Sequence, residues 1–281
     1  MKKLLQDLLV SAAGFITSIL TALLLYFVEK QFDLSLYTFS LWFVIPVGAI
    51  GAGCLAATGY YFGSILFGHR PSSLILLNMV MASIGAFFLI HYLSFISLSI
   101  DGTPISELVS FGTYLEVLYK KTSMTFHLRA AKIGSTGELG NIGYIVAIVQ
   151  IIGFLLGGIL LYFWLKSMAY CEKCSQYLTK KDKQERYYNN HEYFVEKIKH
   201  VAELYDDKKL QELIETHSGL GDPYSGKDHY LKSILELKEC KKCGVHWLKI
   251  SGEKRSGDSW TTISDLSFDT FYEGTRYGVR K

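Results

Sequence analysis

Four stretches of this chain, residues 8–28, 39–66, 74–98 and 142–165, contain no Asp, Glu, Lys or Arg. A helix crosses the hydrocarbon core of a bilayer with about 20 apolar residues. Each stretch is long enough to do so, and buried helices of water-soluble proteins rarely supply several charge-free runs of this length. The sequence therefore predicts an α-helical membrane domain, a four-helix transmembrane bundle over 1–165. The first run follows Lys2 and Lys3, as a signal peptide would. It is longer than the apolar core of such a peptide and ends in "LLLYFVEK" with no small-residue cleavage pattern, so it reads as a retained first helix.

Charge divides the chain at the same place. Residues 1–165 hold 8 Lys+Arg and 7 Asp+Glu, whereas 166–281 hold 21 and 19, a soluble composition long enough to bury its own core. Neither half has the one-sided charge of a nucleic-acid-binding surface, so no nucleic-acid partner is expected. The lipid bilayer is the expected partner of the first half.

Lys and Arg beside short loops set the orientation of a multi-pass protein. Lys2 and Lys3 at the N-terminus, Arg70 in the second connection, and Lys166 and Lys173 after the fourth run favour the cytoplasmic side. The loop over about 99–141 is then extracytoplasmic, although it carries Lys120, Lys121, Arg129 and Lys132, mostly away from helix ends. The expectation is a cell-membrane (inner-membrane) protein with both termini in the cytoplasm.

The tail carries two Cys-x-x-Cys pairs, Cys171 with Cys174 in "CEKC" and Cys240 with Cys243 in "CKKCG", with 65 residues between them. Two sulfurs on one tight turn can grip one ion, and a second such turn completes a four-thiolate shell. Gly244 can supply the positive φ that a knuckle turn uses, and "SILEL" and "VHWLKI" read as flanking strands. These residues resemble the knuckle pair of a zinc ribbon or treble clef. The resemblance covers the knuckles and their strands, and implies one structural zinc in an α+β domain over 166–281. Compact forms of such modules separate their pairs by roughly 15–20 residues, so a helical insertion must leave this site and return. His246 could stand in for a sulfur, and iron could replace zinc in a four-thiolate site. Two other readings of the same residues are a thiol–disulfide centre and unpaired thiols. Lys173, Lys241 and Lys242 lie within the knuckles, where they offset thiolate charge.

Between the knuckles, about 184–217 has helical spacing. Tyr193, Phe194, Ile198, Val201 and Leu204 form one stripe, and Leu210, Leu213 and Ile214 continue it. Beyond the second knuckle, "SWTTISDLSFDTFYEGTRYG" reads as one or two strands and a turn. In the long loop, Thr103 and Pro104 are placed to start a short interfacial helix, and "TSMTFHL" to extend after it.

Within the apolar runs, small residues recur at fourfold spacing: Gly14, Ser18 and Ala22; Ala49, Gly53 and Ala57; Gly153 and Gly157. Such steps let membrane helices approach closely, within one bundle or between copies in a homo-oligomer. Pro46 inside the 28-residue second run predicts a kink or tilt. Asn78, His91 and Gln150 form a candidate intramembrane polar site, with interhelical hydrogen bonding as the alternative.

No phosphate-cradling loop, His-Glu-x-x-His pattern or nucleophile elbow is present, so no enzymatic activity is read from the chain. The leading expectation is a membrane protein whose cytoplasmic, zinc-stabilised tail binds a protein partner or regulates the bundle. Alternatives are a small-solute transporter or membrane-embedded enzyme using the bundle, and a Cys-x-x-Cys redox protein.

Overall fold

A computed structural model describes residues 2–41, 45–128, 131–206, 209–226 and 228–272. The chain forms two compact units, Met1–Ser167 and Met168–Lys281.

In the first unit, four helices are long and apolar enough to cross a membrane. They are α1 (Lys2–Phe32), α2 (Val47–Leu66), α3 (Ser73–Ser97) and, after the long loop, α6 (Ile142–Ser167). Helices α2 and α3 each pack against both α1 and α6. Small residues line these seams. Gly53 leaves no room for a side chain against the Phe154 backbone, and Gly157 none against the backbone of Ile50 and Cys54, so α2 and α6 touch main chain to main chain. The small residues found in the sequence thus face neighbours in the same chain: Ser18 Oγ donates to Ala56 O at 3.1 Å, and Gly153 lies against Ala49.

Pro46 acts differently from the expected kink. It is the residue before the first turn of α2, which is 20 residues long rather than 28. Proline lacks the N–H a helix interior needs but is tolerated at a helix start. At 1.5 Å per residue α2 is about 30 Å long, close to the hydrocarbon thickness. Residues 39–41 precede it in non-helical conformation, after a single 3-10 turn at Leu36–Thr38. Helix α1 outruns its apolar segment at both ends, so Glu29 and Lys30 are helical.

The long loop has its own structure. Ser99–Ile100 (β1) and Thr103–Pro104 (β2) pair as a tiny hairpin, which displaces the helix start expected at Thr103. A single turn, α4 (Ile105–Leu108), precedes α5 (Phe111–Lys121), whose true cap is Ser110, accepting from Thr113 N at 3.2 Å. Ser123–Leu128 (β3) and Ala131–Glu138 (β4) then pair antiparallel before α6.

The second unit is α+β. Tyr170–Cys171 (β5) and Gln176–Tyr177 (β6) form a two-residue hairpin around the first knuckle. Strand β7 (Thr179–Tyr188) follows, then α7 (His191–Asp206), α8 (Leu210–Ser218), β8 (Leu231–Glu239), β9 (His246–Ser256) and β10 (Ser259–Tyr272). The last four strands make one antiparallel sheet in the order β10-β9-β8-β7. The insertion expected as helical from about 184 is a strand until Tyr188, because pairing with β8 overrides its polar composition. Phe194, Ile198, Val201 and Leu204 of α7 and Leu210 and Leu213 of α8 are buried against Leu231, Leu235, Leu237, Leu248 and Ile250. Tyr193, counted in the same stripe, is 43% exposed. The end of the chain forms one long strand with a bulge between Ile263 and Ser267, and the turn expected after Tyr272 lies outside the described residues.

Candidate metal centre

Sheet register brings the two cysteine pairs together despite their separation in sequence. Strand β7 leaves the first knuckle at Thr179, and β8 arrives at the second at Glu239; Thr179 and Glu239 are register partners. Pairing continues to Tyr188 and Leu231, so the two-helix insertion is carried at the other end of this ladder. The long excursion leaves and returns as adjacent strands, and the knuckles meet where it closes.

Both knuckles use a left-handed residue directly after the second cysteine, Ser175 at φ 51° and Gly244 at φ 73°. In the second, Gly244 N donates to Cys240 O at 2.9 Å and Cys240 N to Val245 O at 2.8 Å, closing the turn beneath the sulfurs. Gly244 was legible from the sequence as this residue; Ser175, which tolerates the conformation less well, was not.

The four Sγ atoms of Cys171, Cys174, Cys240 and Cys243 all lie within 4.8 Å of one another, and Cys171 and Cys243 sulfurs are 3.6 Å apart. A tetrahedron with centre-to-corner distances of about 2.3 Å has edges of about 3.8 Å, so the spacing suits one thiolate-bound ion. Clusters of several irons need their cysteines further apart. Cys171 and Cys240 are buried with Ala169, Leu178 and Trp247, while Cys174 and Cys243 lie at the rim. Trp247 is fixed by its indole N–H, which donates to Asp269 Oδ2 at 3.0 Å.

The Val245 N–H draws the Cys243 thiol down to about 7, whereas its hydrogen bond with Cys243 pushes Cys174 up to about 12. Burial raises Cys171. Thiolates this close repel one another, and all four ionise together only around a metal ion. His246 is not in this group: its Nε2 is 3.2 Å from Lys181 Nζ, which pairs with Glu239 at 2.8 Å. Lys173, Lys241 and Lys242 are exposed beside the knuckles.

Asn78 and His91, two of the polar residues of the apolar helices, lie in separate surroundings. Asn78 Nδ2 donates to Ser11 Oγ at 2.7 Å, and Tyr60 Oη donates to the Asn78 carbonyl at 3.1 Å. His91 is thirteen residues further along α3, about 20 Å at helical rise. There its ring meets Phe87 at 4.8 Å and Tyr37 and Tyr119 at 5.8 Å. Gln150 is buried on α6. A further polar group, outside the sequence candidates, ties the opposite end: Asp7 Oδ1 accepts from Ser72 Oγ at 2.9 Å and lies 2.8 Å from His69 Nε2.

Comparison with known protein families, with curated proteins and with solved structures finds no match to this chain.

Proposed function

We propose that this chain is an integral membrane protein whose tail is held by one structural zinc ion with Cys171, Cys174, Cys240 and Cys243 as ligands. The observation that carries this reading is the convergence of four sulfurs within 4.8 Å at the closed end of the β7–β8 ladder. Zinc is favoured over iron because it takes a closed four-cysteine shell with no redox chemistry, and such a shell contributes directly to folding. A filled shell leaves no position for substrate, so the ion serves the fold of the tail.

The tail is in this reading a cytoplasmic module that binds a protein partner or regulates the helices. The Lys and Arg at the N-terminus, at Arg70 and after α6 support both termini inside. The sheet face away from the helices supports a docking role: the Lys232–Glu253 pair at 2.8 Å, with Lys232 lying 4.6 Å from the Trp260 ring and Lys238 4.7 Å from the Trp247 ring, combines charged groups with two indoles.

The test is metal content and thiol reactivity of the purified full chain. One zinc per chain is expected, with four of the five thiols protected until chelation. A metal-free chain with a disulfide between knuckle cysteines would replace this reading with redox chemistry.

A further inference from the structure

Where α1 and α3 end and α6 begins, three buried polar atoms have no hydrogen-bond partner: Glu29 Oε2, His91 Nε2 and Tyr119 Oη. A run of contacts links them through Tyr37. Tyr37 is buried against His91, and His91 against Tyr119, each with ring centroids 5.8 Å apart. The hydroxyl of Ser35, two residues before Tyr37, donates to Glu29 Oε1 at 2.5 Å. The turn that seats Tyr37 beside His91 therefore also holds the Glu29 side chain. Electrostatics agree: burial raises the Tyr37 and Tyr114 phenols, and the Glu29 carboxylate raises both further.

Leaving a buried polar atom unsatisfied is costly, and more so when it is charged. Three such atoms along one run of contacts point to a guest, and the surroundings specify its chemistry. The Glu29 carboxylate has no Lys, Arg or His within ion-pair distance among the described residues, and Lys30 lies over the Tyr26 ring at 5.7 Å instead. A carboxylate among aromatic rings favours a cation, and rings attract ammonium groups in particular. A calcium ion would ask for six or more oxygen ligands, which one carboxylate and nearby phenols do not supply. His91 is 5% exposed and offers Nε2 as a hydrogen-bond acceptor.

We propose that this end of the bundle binds an alkylammonium group, with Glu29 as its charge partner, His91 Nε2 as acceptor, and the Tyr37 and Tyr119 rings enclosing it. Two sources present this chemistry, a free amine and the headgroup of an aminophospholipid. The site is independent of the metal centre.

The full chain is reconstituted into nanodiscs of phosphatidylglycerol and its thermal unfolding followed while ethylammonium chloride is titrated against sodium chloride. A second arm adds phosphatidylethanolamine in place of the free amine. A saturable rise in unfolding midpoint in the first arm assigns a free amine, and one in the second alone assigns the headgroup. In either arm Glu29→Gln is expected to weaken the effect at least about tenfold, equivalent to 1.4 kcal/mol. No saturable rise in either arm, or an equal one in Glu29→Gln, overturns the proposal. If Glu29→Gln fails to assemble, the wild-type titrations decide alone.

Discussion

The two units differ in the balance of what they bury. Between the apolar helices the buried positions are mostly small or polar, among them Ala22, Ala49, Ala52, Ala56, Ala57, Ser18 and Ser64, while Leu8, Ile16, Leu20, Ile145 and Phe163 face outward. In the tail the interior is Phe194, Ile198, Leu231, Leu235 and Ile250, and the surface is laced with Lys and Glu. The difference is the one that a lipid setting for the helices and an aqueous one for the tail would produce. In water, removing apolar area from solvent drives folding, so large side chains go inside. In lipid that drive vanishes between helices, so contact depends on small residues that let backbones meet and on hydrogen bonds. The tail offers a second device, because its four sulfurs converge at the end of the β7–β8 ladder opposite the two-helix insertion, where one bound ion would tie the knuckles together.

If this contrast is right, metal removal acts on one unit alone, and it is the largest effect expected. Structural zinc sites contribute on the order of 10 kcal/mol to folding. Chelation, or Cys240→Ser, should abolish hydrogen-exchange protection across the knuckles and β7–β9. The amides of α1, α2, α3 and α6 should keep theirs. Loss of protection in both units would mean that the bundle depends on the tail.

A matched pair of leucines sharpens the comparison next. Leu235 is fully buried in the sheet core, and Leu20 is 57% exposed on α1. Leu235→Ala should lower the stability of the tail by about 2–5 kcal/mol through lost burial and a cavity. Leu20→Ala should change the bundle by no more than about 0.5 kcal/mol. Denaturant unfolding of each variant checks both. A comparable loss at Leu20 would place that face against protein rather than lipid.

How much of this was legible depended on whether the decisive interaction was local. Charge-free runs mark the long helices because each satisfies its own backbone and needs no partner to be recognised. The cysteine pairs announce a shared ion because both halves of each knuckle lie within one turn. Strand β7 was hidden: "TKKDKQERYY" has no apolar alternation, and its inward positions include Gln184 and Arg186. Only the register with β8, forty or more residues away, makes it a strand. Glu29 was hidden for a related reason. Beside Lys30 and Asp33 it reads as loop charge, whereas α1 continues to Phe32 and one of the Glu29 oxygens is buried. Pro46 was visible, but whether it kinks a long helix or begins a shorter one depends on the packing of 36–48. Part of that segment, 42–44, lies outside the described residues.

Both units bury histidines, and His91 and His217 are held differently. His91 has an unpartnered Nε2, whereas His217 has Nδ1 3.2 Å from Gln184 Oε1 and Nε2 3.0 Å from Ser233 Oγ. Burial, reinforced by the Arg186 charge and opposed by Asp182, brings His217 down to about 4. In an unfolded chain histidine titrates near 6.5. Below that pH the unfolded tail takes up a proton that the folded tail refuses, so stability is complete above about 6.5 and falls as pH drops toward 4. The loss from this group between pH 7.5 and 5 should be about 2 kcal/mol. Urea unfolding of wild type and His217→Gln at both pH values isolates it, because acid effects on the thiolates are common to both. Equal pH dependence in the two proteins would show that His217 accepts a proton without unfolding.

A small effect is also expected at Ser18, and it bears most directly on what holds the bundle. Its Oγ donates to Gly14 O at 2.9 Å, within α1, and to Ala56 O at 3.1 Å, across to α2. Thr17 Oγ1 shares the same acceptor at 3.0 Å and accepts from Gly59 N at 3.0 Å. A hydrogen bond between membrane helices contributes about 0.6 kcal/mol on average, because the separated helix finds another partner. Ser18 retains such a partner in Gly14, so Ser18→Ala should lower bundle stability by about 0.6 kcal/mol or less. Gly14 itself leaves no room for a side chain against the Tyr60 ring, so Gly14→Leu should cost several times more. Steric trapping or reversible unfolding in mixed micelles can resolve the two. If Ser18→Ala proved the more damaging, polar bonding rather than close backbone packing would be the main tie between α1 and α2.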